Sequence, residues 1–414
     1  MAPYEVAPKV LNWASIIDEN TIQQAARTAR LPFIAGHVAL MPDAHFGMGS
    51  TVGSVIPTRG AIIPAAIGVD IGCGMIASKL NIKAQHLPDN IDAWLPDIEQ
   101  AIPGGKGRTR DWGAPINVNE KIGMAEGVKE WKLEKTAISQ VGTLGGGNHF
   151  FEVCLDTEDN VWVVLHSGSR GVGNKLASRH IDTAKKDIRR RFIEIEDIDL
   201  AYFVEDTPEF EAYIRDMLWA QDYAMLNRQV MMDGALQVIN RHMNMPLDES
   251  AKGGKGHWIT PEVTVNCHHN FTEREAHCRR CRTGTCNGVD HDFKNLWITR
   301  KGAIRARTGE LGIIPGSMGA RSYVVEGKGV AASYCSCSHG AGRIMSRSRA
   351  KAELTADSLR EKMAGKAWLD DKADSLVDEH PDAYKDIDVV MRDQEDLVTV
   401  VAELRQILNY KGTG

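Results

Sequence analysis

The sequence predicts an α+β protein: one large mixed α/β domain spanning residues 1–414, with a helical insertion at 175–250 and a Cys/His-rich insert at 273–295. Three observations predict it. Short β-like runs alternate with glycine-rich loops and helical patterns from both ends of the chain. The clearest amphipathic stretches, Lys175–Arg191 and Pro208–Met243, are neighbours and read as long helices. No internal repeat or low-complexity linker divides the chain.

In order, Asp18–Arg30 reads as a capped helix that Leu31-Pro32 ends. His37–Met41, Val55–Pro57 and Ile62–Pro64 read as short extended pieces, and Ile76–Ile82 alternates like a strand. Ile91–Ala101 and Asn119–Lys135 read as helices, and Val161–Leu165 as a buried β-run. Val263–Asn266, Asn295–Thr299 and the end of Ile313–Val325 read as strands. Ala331–Cys337 reads as a strand, and Gly340–Ala352, Asp357–Ala364 and Gln394–Leu408 read as the last helices.

Hydrophobic content of 43% and charged content of 25% are ordinary for a soluble globular chain. The most apolar region, Gly60–Ser78, carries Pro64 and Asp70 among its glycines, so no membrane span is expected. The first twenty residues lack a basic start and an apolar core, so a cytoplasmic protein is expected. Eight cysteines in that setting point to reduced thiols, metal ligands or catalysis. A net charge of −6 excludes a uniformly basic nucleic-acid binder. Local basic clusters such as Arg343-Arg347-Arg349-Lys351 flank glycine-rich turns, where phosphate binding is the expectation. Lys185–Arg191 reads equally as a solvated helix face.

Five loops follow predicted strands and carry His, Cys, Asp or Asn: PDAHFGMG, GVDIGCGM, GGGNHFFE, HSGSRG and NCHHN. Glycines let the backbone approach a ligand closely. Asp70 and Cys73 are three apart, and His149, His166 and one of His268 and His269 supply imidazoles. Any one of these alone reads as an ordinary interior residue. Together, thiolate, imidazole and carboxylate suit a borderline divalent ion such as Mn, Fe, Co or Zn. HSGSRGVG has the wrong glycine spacing for a dinucleotide turn, and Ser167, Ser169 and Arg170 read instead as phosphate donors. Ser317 and Ser322 add hydroxyls in IPGSMGARS. In SYCSCSHGAGR, His339 reads as a metal ligand, a general base or a nucleophile.

MPDAHFGMGSTVGSV, GAIIPAAIGVDIGCGM, GTLGGGNHFFEV, LHSGSRGVGN, NCHHNF, TRKGAI, GIIPGSMGARS and CSHGAGR, in this order, resemble the RtcB family of RNA-splicing ligases. The resemblance runs from about Met41 to Lys411. It implies GTP- and Mn-dependent joining of an RNA 2′,3′-cyclic-phosphate or 3′-phosphate end to a 5′-hydroxyl end, in tRNA splicing or RNA repair. It implies two Mn²⁺ ions on Asp70, Cys73, His149, His166 and His269, with Cys73 bridging and His268 the alternative to His269. His339 matches the histidine that attacks the GTP α-phosphate and carries GMP, and Asp43 matches an acidic residue needed for activity. Asn148, Phe150, Glu152, Ser317, Ser322, Gly340, Tyr384 and Lys411 match positions around the guanylate, and Arg170 one near the RNA phosphate. Gly340-Ala341-Gly342 would then clear space for a triphosphate, with Arg343 a candidate for its charge. The implied partners are RNA with such ends and GTP, with no membrane and room for an activating protein.

One stretch departs from the family pattern, REAHCRRCRTGTCNGVDHDFKN. Cys278, Cys281, Cys286 and His291 have near zinc-knuckle spacing and could hold one structural Zn²⁺, with Arg279, Arg280 and Arg282 placed for RNA. The alternative is a polar loop with incidental thiols. Two competing functions stand beside the ligase: a dimetal cyclic phosphodiesterase without nucleotide transfer, and an RNA-binding factor without chemistry. The guanylate set and Lys411 would be idle in the first, and Asp70, Cys73 and His339 in the second.

Overall fold

A computed structural model describes residues 2–111, 113–243, 259–278 and 293–412. The chain opens with β1 (Tyr4–Ala7), β2 (Val10–Asn12), α1 (Glu19–Ala29), β3 (Val38–His45) and β4 (Val52–Thr58). Next come β5 (Ala61–Ile62), α2 (Pro64–Ile67), β6 (Gly74–Lys83) and α3 (Trp94–Ala101). Short helices α4 (Val118–Ile122), α5 (Glu126–Glu130) and α6 (Glu134–Gln140) lead to the hairpin of β7 (Phe150–Leu155) and β8 (Asn160–Ser167). Then follow α7 (Arg170–Arg190), β9 (Phe203–Val204) and α8 (Pro208–His242). β10 (Pro261–His268), β11 (Asn270–Cys278), β12 (Phe293–Lys301), β13 (Ala303–Arg305), β14 (Leu311–Ile314), β15 (Ser322–Gly327) and β16 (Ser336–Ser338) form the next run. The chain closes with α9 (Arg347–Glu353), α10 (Ala356–Lys362), β17 (Ala367–Trp368), α11 (Ala373–Leu376), α12 (Ile387–Asp393) and β18 (Val398–Tyr410).

Two sheets carry the architecture. One runs in the order β1-β2-β3-β4-β12-β11, and the other β10-β6-β8-β7-β18-β15-β14 with β17 beside β18. Antiparallel register decides where the motif loops go. β10 ends at His268 opposite Gly74, where β6 begins. Gly74 also pairs with Ser167, where β8 ends, and His166 pairs with Phe150, where β7 begins. β18 ends at Tyr410 opposite Phe151. The residues just beyond these ends therefore meet at one edge of the sheet. His269 is the joint at which the chain leaves this sheet and enters the other at Asn270.

Helix α8 runs through the body. Thr207 caps it by accepting the Phe210 N–H, and Pro208 occupies its first turn. Its Met231, Met232 and Val238 pack against Ile76, Phe151 and Val163 of the sheet, and its Tyr213 and Met217 pack against Val172 and Leu176 of α7. The stretch expected as a helical insertion thus shares the main core. Among the described residues no helix is long and apolar enough to cross a membrane.

Four elements differ from expectation. Gln394–Leu408 is not a helix: its β-branched run Val398–Val401 favours extension, and pairing with β7 and β15 overrides the helical preference of AELRQIL. Residues 340–346 are irregular, and helix starts only at Arg347, capped by Ser346. Asn119–Lys135 breaks at Gly123, which takes φ +71°, and again around Lys132. Ala331–Cys337 is a 3₁₀ turn, two left-handed residues (Tyr334, Cys335) and then β16.

Candidate active site

The edge where the strand ends meet holds a tight donor cluster. Among the described residues, Cys73, His166 and His269 form one set whose ligand atoms lie within 4.8 Å of one another, and Asp70, Cys73 and His149 form a second. Cys73 belongs to both. Its Sγ is 3.3 Å from the Nε2 atoms of His149 and His166. His166 Nε2 is 3.3 Å from His269 Nε2, and His149 Nε2 is 3.0 Å from Asp70 Oδ2.

The surroundings set the tautomers. His166 Nδ1 donates to the Asn148 carbonyl at 3.1 Å, which turns the lone pair of Nε2 toward the cluster. Arg170 lies 3.1 Å from His149 Nδ1, and the other ring nitrogen, Nε2, faces Asp70 and Cys73. Burial holds the pKa values of His149, His166 and His269 below the usual imidazole range, so all three are neutral near pH 7. Burial and the neighbouring Asp70 push the Cys73 thiol up. Asp70 is pushed up by burial, yet His149 and Arg170 outweigh this and hold it well below the usual carboxylate range. Neutral imidazoles, a carboxylate and a shared sulfur fit borderline divalent metal ions, and the His269 Nδ1 atom is buried without a hydrogen-bond partner.

His268 faces elsewhere. Its Nδ1 donates to the Gly72 carbonyl at 2.8 Å, and burial followed by Arg228 lowers its pKa to about 3. Of the two, His269 is the one that stands in the Cys73 cluster, and its own N–H donates to the Cys73 carbonyl at 2.8 Å.

His339 stands beside the cluster, its ring centroid 4.7 Å from that of His269. Its Nδ1 lies 2.6 Å from Asp43 Oδ2, and the same oxygen accepts the N–H groups of His339 and Gly340 at 3.1 and 3.2 Å. Burial pushes the Asp43 carboxyl up, but His339 and Lys385 outweigh it and keep Asp43 ionised. The imidazole is thereby fixed with Nδ1–H on Asp43 and Nε2 left for the cavity. Gly342 lines the cavity, and at φ +73° a Cβ there would also lie 2.2 Å from the Asp43 carbonyl oxygen.

One cavity of about 560 Å³ joins these parts. His339, Cys73, His166 and His269 line it, together with Asn148, Phe150, Glu152, Ser317, Gly340, Tyr384 and Lys411. Ser322 stands behind this wall, where its hydroxyl accepts the Gly316 N–H at 3.3 Å. Lys411, just past β18, is buried; its Nζ donates to Glu379 at 2.7 Å and lies 5.6 Å from the Phe150 ring centroid. Arg343 is committed to the protein: its guanidinium donates to Tyr384 Oη and to the Asp378 and Met345 carbonyls. Arg170 is held at φ +58°, in the left-handed region, against Gly145.

Sequence reasoning missed several supports. Glu379 gathers Lys411, Tyr384 and Arg347 around one buried carboxylate. Asn227 on α8 bonds Gly142, Thr143 and Gly168. Its neighbour Arg228, fully buried, donates to Gly72, Ser167 and Asn266. These two tie together the loops carrying Cys73, His149 and His166. The one available signal was an Asn-Arg pair interrupting the apolar pattern of α8. Cys281, Cys286 and His291 of the zinc reading lie outside the described residues; Cys278 ends β11.

Fold and site together define a class: a mixed α/β protein with a cysteine-centred metal-type site beside a carboxylate-held histidine, sharing one cavity. A sequence profile described as tRNA-splicing ligase RtcB matches residues 24–412. The chain is 43% identical over 411 residues to the RNA-splicing ligase RtcB of Escherichia coli strain K12, covering 96% of this chain and 95% of that protein. It is 28% identical over 437 residues to the tRNA-splicing ligase RtcB of Methanococcus maripaludis, covering 90% of this chain and 87% of that protein. The chain belongs to the RtcB family of RNA-splicing ligases.

Proposed function

We propose that the protein joins an RNA end bearing a 2′,3′-cyclic or 3′-phosphate to a 5′-hydroxyl end, using GTP and Mn²⁺. The observation that carries this reading is the Asp43–His339 pair, set between the Cys73 cluster and the wall bearing Glu152 and Lys411. A phosphodiesterase without nucleotide has no use for that wall.

The lone pair of His339 Nε2 attacks the α-phosphorus of GTP. The N–P bond forms, the α–β P–O bond breaks and pyrophosphate leaves. An RNA 3′-phosphate oxygen then displaces His339, giving an RNA 3′-end capped through a pyrophosphate to guanosine. The 5′-hydroxyl attacks the RNA phosphorus, GMP departs and a 3′–5′ phosphodiester remains. A cyclic phosphate is first opened by water to the 3′-phosphate. Asp43 holds the imidazole orientation through the first two steps. Asp70, Cys73, His149, His166 and His269 would hold two Mn²⁺ ions, which when bound supply charge neutralisation and alignment of phosphate groups. Asn148, Phe150, Glu152, Ser317, Tyr384 and Lys411 hold the guanylate, and Arg170 meets the RNA phosphate.

The test is joining of two RNA strands with these ends. Product should require GTP and Mn²⁺ together. Joining without any nucleotide, or release of 3′-phosphate with no joined product, would refute the reading.

A further inference from the structure

The cavity does not stop at the guanylate wall and the Cys73 cluster. It continues into a lobe formed by α2, the loop to Asp70, one face of α7 and the end of β12. Ser178, Ile181 and Lys185 of α7 line it. They are three and four residues apart, so they share one helix face. The same helix begins at Arg170, in contact with His149. From Arg170 to Lys185 it covers about 22 Å at 1.5 Å per residue. Ile67 and Val69 form the facing apolar wall. The polar side is anchored: Lys185 pairs with Asp199 at 2.5 Å, and the buried Lys301 ammonium donates to the Met48 carbonyl. Val69 and Met48 remain exposed at 41% and 88%.

We infer that this lobe seats the nucleoside at the phosphate-bearing end of the RNA. The inference rests on the ligase reading above and names where its RNA end lies. The terminal phosphate must reach both the guanylate on His339 and the Cys73 cluster. The guanylate takes the Asn148–Lys411 wall, and the α7 lobe is the part of the same cavity that wall leaves over. Its makeup matches a nucleoside: aliphatic side chains for the base faces, and the Ser178 hydroxyl, the Asp182 and Asp199 carboxylates and the Asp199-paired Lys185 ammonium for base edge or ribose. The adjoining strand would run outward along α7, whose Lys186, Arg189 and Arg190 are exposed beyond the lobe.

The test has two arms. In the first, wild-type protein is irradiated with RNA whose last nucleotide is 4-thiouridine 3′-phosphate. The crosslink should map to residues 64–70 or 170–190. A crosslink elsewhere overturns the inference, as does one at this place formed only by RNA carrying the photoprobe at a 5′-hydroxyl end. In the second arm, Ile181→Trp fills the lobe. It should slow guanylylation of RNA more than about tenfold while His339 still takes label from α-labelled GTP. Undiminished RNA guanylylation overturns the inference. Wild-type protein that never labels His339 contradicts the ligase reading itself, whereas the crosslink reports the lobe independently of folding or labelling in the variant.

Discussion

Asp43 Oδ2 takes three hydrogen bonds at once, from the His339 imidazole at 2.6 Å and from the N–H groups of His339 and Gly340. One buried oxygen thus fixes both the ring and the backbone that presents it. Asp43→Asn can offer an N–H to Nδ1, which moves the imidazole proton to Nε2 and removes the nucleophilic lone pair. His339 labelling by GTP should slow by about 10³–10⁴-fold, by analogy with a triad aspartate, with metal content unchanged. A single-turnover labelling assay beside elemental analysis checks both halves.

Cys73 is shared by both donor sets, so its loss should affect both sites. Co²⁺-loaded wild type should show a thiolate-to-cobalt absorption band that Cys73→Ser lacks. His269→Ala should lower metal content, whereas His268→Ala should keep it. The latter should instead cost about 0.5–1.5 kcal/mol of stability, the loss of one of the two hydrogen bonds on the Gly72 carbonyl, which Arg228 still satisfies. Equal metal loss in the two histidine variants would contradict the assignment.

Glu152 carries a pH signature. Burial, opposed by Lys411 and Asn409, raises its pKa from 4.5 to about 8. The folded protein therefore keeps a proton that the unfolded chain has lost. The Glu152 contribution to stability is fully present below pH 4.5 and is lost as pH rises toward 8. Glu152→Gln should flatten the fall in stability between those values. A guanine ring offering N–H donors favours the carboxylate, so GTP binding near pH 7 should release protons. Calorimetry in buffers of different ionisation enthalpy measures this, and Glu152→Gln should abolish it.

Glu379 binds Lys411, Tyr384 and Arg347 in a buried network, and its pKa is held at about 2 against its burial, chiefly by Lys411. Glu379→Ala leaves the Lys411 charge buried without its carboxylate. It should cost about 3–5 kcal/mol in denaturant unfolding and weaken GTP binding. A variant as stable as wild type would show that the network is not a structural anchor.

Much of this site was legible in the sequence because its ligands sit in loops at strand ends, where local motif and chemistry coincide. Asp70, Cys73, His149 and His166 could be read from spacing and residue type. The His268–His269 choice could not, because it depends on which side of the joint between two sheets each ring faces. Glu379, Asn227 and Arg228 reach the site across long sequence separations and carry no motif. β18 does not show in the sequence because AELRQIL suits a helix locally, and only its place between β7 and β15 makes it extended. That Gly342 also makes way for the Asp43 carbonyl oxygen could not be read from its motif, because Asp43 lies far off in sequence.

The proposed function turns on His339 acting as the nucleophile and not as a metal ligand. The most direct measurement is mass spectrometry of the protein after incubation with GTP and Mn²⁺. One acid-labile guanylate is expected on the peptide containing His339, absent in His339→Ala. A guanylate on a lysine, or an unmodified wild-type protein that nonetheless joins RNA with GTP, would contradict it.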